Sequence, residues 1–217
     1  DIKGFQIQYL DSDPATSNVV QVWYNSATKA LKGTVAGGGA AGTWSSGGAL
    51  SNSYAYTGGA GTQGAALSFG GYPNIATSES YNGTSWTETN DLNTGRPQLG
   101  GSGAYTAAIA VGGQPSTAAE TFNGTSWTSV PSLATARGRS GITGNSSSAL
   151  CAGGYNGSYI AITEKYDGSS WTEVGDLNTA RSNQGSAGHR TAALTISGGA
   201  PTNWTIHPLY AADARTS

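Results

Sequence analysis

One cysteine, two histidines and no methionine occur in 217 residues, and each shortage removes a class of chemistry. Cys151 has no second cysteine to bond, so no disulfide framework exists within the chain. In the apolar run Ala149-Leu150-Cys151-Ala152 it reads as a small buried hydrophobe rather than a reactive thiol. His189 and His207 are too few for a metal centre, which needs several converging ligands, so neither a metal nor another cofactor is expected. Charged residues make up only 10% of the chain and the net charge is −2. The ten Lys and Arg are scattered, unlike the clustered basic footprint of a nucleic-acid binder. No apolar run approaches the roughly 20 residues needed to span a bilayer, so membrane insertion is not expected. With no methionine in the sequence, Asp1 is expected to be a processed end or the edge of a fragment.

Glycine, by contrast, is abundant: 34 of 217 residues, without the three-residue period of a collagen. Its placement is regular. Doublets recur at Gly70-Gly71, Gly112-Gly113, Gly153-Gly154 and Gly198-Gly199, and tryptophans at Trp44, Trp86, Trp127 and Trp171, in steps of 42, 41 and 44. Between doublet and Trp stands an aromatic followed by a turn: Tyr81-Asn82-Gly83, Phe122-Asn123-Gly124 and Tyr166-Asp167-Gly168. Asn-Gly and Asp-Gly between strand-like runs mark hairpins, because both residues tolerate positive φ. The Asn-x-Ser/Thr sequences at Asn82 and Asn123 coincide with these turns and read as turn chemistry.

A period of this length signals tandem supersecondary units that bury their faces only against each other. Each unit divides into four short strands. The second is expected at about Gln98–Ser102, Thr106–Val111, Ala118–Phe122 and Trp127–Val130. The third is expected at about Arg139–Thr143, Ser148–Ala152, Ile160–Tyr166 and Trp171–Val174. The last shows only Asn183–Ala187, Thr191–Ser197 and about Trp204–Tyr210. Ala107-Ala108-Ile109-Ala110-Val111 is apolar throughout, as a strand buried on both faces should be.

Arg96, Arg137 and Arg181 each lie 10 residues after a repeat Trp, and Glu79, Glu120 and Glu164 each lie 17 residues before one of these arginines. A group repeated in every unit is structural, so these six residues are expected to form a ladder of Glu–Arg contacts tying one unit to the next.

The Gly doublet, the aromatic before a turn, the Trp and the following Arg together resemble the kelch repeat, over about residues 44–199. The resemblance implies an all-β fold: a β-propeller of about four four-stranded blades. The strand around Trp44 would close it by completing the last blade; the alternative is an open arc closed by a partner subunit. Tyr54 departs from the pattern, standing where the first unit should carry Arg. The stretch Val20-Gln21-Val22-Trp23-Tyr24-Asn25-Ser26-Ala27-Thr28-Lys29-Ala30-Leu31-Lys32-Gly33 resembles a hairpin of bacteriophage tail-fibre and head-surface proteins. Two regions follow: an N-terminal arm for attachment or assembly over 1–43, and the propeller over 44–217.

No nucleophile elbow or phosphate-binding loop appears, since the Gly doublets lead into strands rather than helix N-termini. No catalytic residue is therefore assigned. The loops after the doublets vary while the framework repeats, which is where a rigid scaffold carries function. They offer Tyr72, Asn74, Gln114, Tyr155, Asn156, Tyr159 and Trp204, aromatic rings beside amides, a combination suited to stacking on sugars and bonding their hydroxyls. The expectation is a non-enzymatic phage virion surface or fibre protein, extracellular. Its partners would be copies of itself, other virion proteins and a host-surface glycan. The alternatives are a purely structural subunit of a bacterial extracellular filament or capsid decoration and, behind both, a polysaccharide-degrading enzyme.

Overall fold

A computed structural model describes residues 8–10, 22–33, 46–199 and 209–212, none of them helical. The chain divides into two compact units, 1–46 and 47–217. In the first, β1 (Gln8–Leu10), β2 (Val22–Asn25) and β3 (Ala30–Gly33) form one sheet, with β1 parallel to β2 and β2 antiparallel to β3. The expected hairpin over 20–33 is thus β2 and β3. At its turn the Asn25 side-chain oxygen accepts the Thr28 N–H at 2.9 Å.

The second unit is a row of antiparallel sheets, each built from consecutive strands. The first holds β4 (Gly58–Thr62), β5 (Ala65–Gly71), β6 (Ile75–Tyr81) and β7 (Trp86–Thr89). The second holds β8 (Gly100–Ala104), β9 (Ala107–Val111), β10 (Ala119–Phe122) and β11 (Trp127–Val130). The third holds β12 (Gly141–Asn145), β13 (Ser148–Tyr155), β14 (Tyr159–Tyr166) and β15 (Trp171–Val174). Among the described residues the fourth has three strands, β16 (Gly185–His189), β17 (Ala192–Ile196) and β18 (Leu209–Ala212). The arrangement is propeller-like. The first strands meet in succession, β4 on β8, β8 on β12 and β12 on β16. The two end strands, β4 and β16, are not packed on each other in this way. The Trp44 strand expected to close the last blade lies outside the described residues.

Two details correct the sequence reading. First strands were expected to begin at Gln98, Arg139 and Asn183, but each begins two residues later. These three residues, and Tyr56 ahead of β4, hold left-handed backbone at φ of 60°, 57°, 56° and 60°, which within the strands only glycines adopt. The fourth doublet is also displaced by one. Gly70-Gly71, Gly112-Gly113 and Gly153-Gly154 all have positive φ, and their fourth counterpart is Ser197-Gly198, at 61° and 97°, not Gly198-Gly199.

The core lies between the sheets. Along β9, Ala108 and Ala110 pack with Leu67, Phe69, Leu92, Leu99, Phe122 and Trp127, whereas Ile109 and Val111 pack with Leu133, Ile142, Ala149, Cys151 and Tyr166. Successive side chains leave opposite faces of a strand. The second strand therefore shows small residues to the preceding sheet and large ones to the following sheet. Trp127 completes the first junction: its ring meets Phe69 at 4.7 Å and its Nε1–H donates to Ser78 Oγ at 3.0 Å. Where first strands approach one another, some positions have no room for a side chain. A Cβ on Gly101 would lie 2.6 Å from the Gly59 carbonyl oxygen.

Gly112 is required twice over: its φ is +69°, and a Cβ there would strike the Arg137 carbonyl oxygen in the next linker. Gly112→Ala should therefore destabilise the second unit by at least about 2 kcal/mol, lowering Tm by roughly 4–8 °C. Thermal unfolding followed by circular dichroism measures this, and an unchanged Tm would show that the doublet is not structurally required.

Candidate binding face

The linkers that cross between sheets position everything at this end of the molecule. Arg96 has its backbone on the first sheet, where its N–H donates to Ile75 O at 3.2 Å and its C=O accepts Gly71 N–H at 3.1 Å. Its side chain enters the second sheet. Nε donates to Gly112 O at 2.6 Å and Nη1 pairs with Glu120. Arg137 repeats this one junction on. Its backbone is held by Ser116 and Gly113, and its guanidinium pairs with Glu164 and donates to Ile162 O. Each Glu also accepts a linker N–H through its second oxygen, from Asn93 at 2.7 Å and Ala134 at 2.8 Å.

The ion pairs thus join each Arg to the Glu of the following sheet, not to the Glu 17 residues before it. Among the described residues that offset leaves the two ends of the series without an ion pair. Glu79 is 2% exposed and accepts Ser51 N–H, but its other oxygen is buried without a hydrogen bond, because Tyr54 occupies the arginine position. Arg181 is 3% exposed, and among the described residues its guanidinium donates to Thr179 O and Ser197 O.

Two residues beyond each linker position the left-handed residues bond to one another across the sheets. Asn183 N–H donates to Arg139 O, Arg139 N–H to Gln98 O and Gln98 N–H to Tyr56 O, at 2.8, 2.8 and 2.9 Å. Sequence reasoning missed this ladder. Its signal was present as a constant step of 16 from Tyr56, Gln98, Arg139 and Asn183 to Tyr72, Gln114, Tyr155 and Gly199. In three of the four sheets the residue next to the left-handed one bridges to the second member of the pair: Ala55 to Tyr72, Gly138 to Tyr155 and Ser182 to Gly199. In the second sheet that neighbour is Pro97, which has no N–H to give.

Of the seven residues named from the sequence, the structure brings two together. Tyr155 and Tyr159 face each other across β13 and β14, rings edge to face at 5.7 Å. The Arg139 guanidinium lies 5.3 Å from the Tyr155 ring centroid, and its Nε donates to Gln98 Oε1 at 2.9 Å. Two tyrosines, a guanidinium and an amide therefore form one cluster on the ladder. Tyr72 is exposed at 61% beside Ala55, and Asn74 and Gln114 are exposed in their own loops. Asn156 is spent on its own turn, its side chain accepting Ser158 N–H. Trp204 lies outside the described residues.

The far hairpins are turn chemistry. Asn82, Asn123 and Asp167 each accept two backbone N–H groups from the residues two and three further on. Those bonds hold the Asp167 carboxyl down to about 2. Burial pushes the Cys151 thiol up, away from a nucleophilic thiolate. Among the described residues no group of three His, Cys, Asp or Glu side chains converges. A scan of family models matches none to this chain, and a search of curated proteins finds no similar sequence.

The unmatched Glu79 makes the crossing testable in both directions. Arg137→Met strands the buried Glu164 carboxylate and should cost about 3–5 kcal/mol. Tyr54→Arg should do the opposite, giving Glu79 the partner that Glu120 and Glu164 have and raising stability by about 1–2 kcal/mol. Urea denaturation of both variants checks the pair, and a destabilised Tyr54→Arg variant would contradict the equivalence of Tyr54 with Arg96.

Proposed function

We propose that this chain is a non-enzymatic attachment module of a bacteriophage virion surface or fibre, built as a kelch-like propeller that displays a saccharide-binding face. The observation that carries the binding reading is the Tyr155–Tyr159–Arg139–Gln98 cluster. Aromatic faces stack on the C–H face of a pyranose, and amides and guanidinium groups bond its hydroxyls. Arg139 uses Nε on Gln98, and no hydrogen bond from its two Nη groups is found among the described residues. That fork, steadied by the Tyr155 ring, suits the carboxylate of an acidic sugar. The three buried acids Glu79, Glu120 and Glu164 occupy equivalent positions in separate sheets, one per sheet, which is unlike the facing carboxylate pair of a glycosidase.

The virion assignment rests on the sequence resemblance over residues 20–33. A second, purely structural reading, a filament or capsid-decoration subunit, is favoured by the separate compact unit over 1–46, a natural anchor. Under that reading, deleting the unit abolishes assembly and the sheets remain folded.

A glycan array probed with wild type, Tyr155→Ala/Tyr159→Ala and Arg139→Gln separates the readings. Wild type should bind, and the double variant should lose at least about tenfold in affinity. Arg139→Gln should lose binding to uronic or sialic acid glycans selectively. Equal binding by all three, or binding by none, removes the saccharide site.

A further inference from the structure

We infer that the row of sheets is open at both ends and that the end faces join head to tail with a second copy of this chain. Every internal junction has the same polarity. The following sheet gives a left-handed N–H to the preceding sheet's left-handed C=O. The preceding sheet's large side chains cover the following sheet's small ones, as Ile109 and Val111 cover Ala149 and Cys151. At the ends both halves of this relation are left without a mate. The Tyr56 N–H and the Asn183 C=O, which would be the next donor and the next acceptor, have no hydrogen-bond partner among the described residues.

Burial agrees. Phe69, Val111 and Ala152 occupy one position of the second strand and are 0%, 0% and 3% exposed, whereas the fourth occupant, Ile196, is 43% exposed. On the opposite end, Ala66 and Ser68 are half-buried, whereas the matching Ala108, Ala110, Ala149 and Cys151 are 0% exposed. The last sheet therefore presents a large-residue face with a free acceptor, and the first presents a small-residue face with a free donor. Each fits the other and neither fits itself, which makes the contact heterologous rather than a face-to-face dimer. Because β4 and β16 of one chain are not packed together, the complement is supplied by another copy.

The test is the mass of the full chain in solution, by light scattering across a concentration series. Wild type should exceed the 21.8 kDa of one chain, with two copies expected if two arcs complete one ring. Ile196→Asp, which blocks the large-residue end, and Ala66→Arg, which blocks the small-residue end, should each lower the mass toward the monomer. Each should keep the wild-type circular dichroism spectrum, because neither side chain is buried. Mixing the two variants should restore a species of two copies, since the mixture retains one intact end of each kind. A wild type that stays monomeric at all concentrations overturns the proposal and assigns the end faces to a segment of the same chain or a different partner. An oligomer that survives either variant, or variants that fail to restore each other, overturns it as well.

Discussion

The arginine of each linker has its backbone on one sheet and its guanidinium in the next, and the junctions between sheets depend on that crossing. A four-stranded sheet of about 20 short-strand residues cannot enclose a core of its own. Here the apolar clusters lie between sheets, so no sheet is stable without a neighbour. Hydrophobic contact alone would let the sheets slide. Arg96 and Arg137 prevent this by fixing register with directional bonds: backbone to one sheet, carbonyl and carboxylate to the other. A buried ion pair of this kind contributes more to specificity of arrangement than to net stability, because desolvating both charges offsets much of their attraction.

The same crossing builds the face proposed to bind. Just beyond Arg96 and Arg137 the chain must turn sharply into the crowded first strands, and it does so through left-handed Gln98 and Arg139. Their backbones join across the sheets, so the side chains are delivered to the loop end from a rigid base. The Arg139 guanidinium reaches both Gln98 of one sheet and Tyr155 of its own, so the proposed saccharide site would belong to the junction between sheets rather than to any single loop. Variation at Tyr56, Gln98, Arg139 and Asn183 changes this surface without touching the arginines that hold it up.

Much of the fold was legible because its causes are local and repeated. Asn123-Gly124 and Asp167-Gly168 announce their hairpins, and the strand pairs around them form close to where the sequence places them. What was not legible depends on partners distant in sequence. Glu120 chooses Arg96 over Arg137 because the linker approaches from the preceding sheet, which spacing alone does not reveal. The left-handed residues were hidden because Tyr, Gln, Arg and Asn share no chemistry; only their backbone conformation is common. The fourth doublet misled because Gly198-Gly199 matches the motif while Ser197 takes the strained position. Among the candidate site residues, Tyr155 and Tyr159 could be named from aromatic content, but Arg139 could not, since nothing in the sequence places it beside them.

The most direct test of the crossing as the unit of stability is native-state hydrogen exchange at the Gln98, Arg139 and Asn183 amides. If the linkers lock the sheets into one cooperative body, these amides exchange only through the global unfolding of the second unit, with a common opening free energy that falls together in Arg137→Met. Exchange of Arg139 or Asn183 by separate, low-energy local openings, unchanged by Arg137→Met, would contradict it.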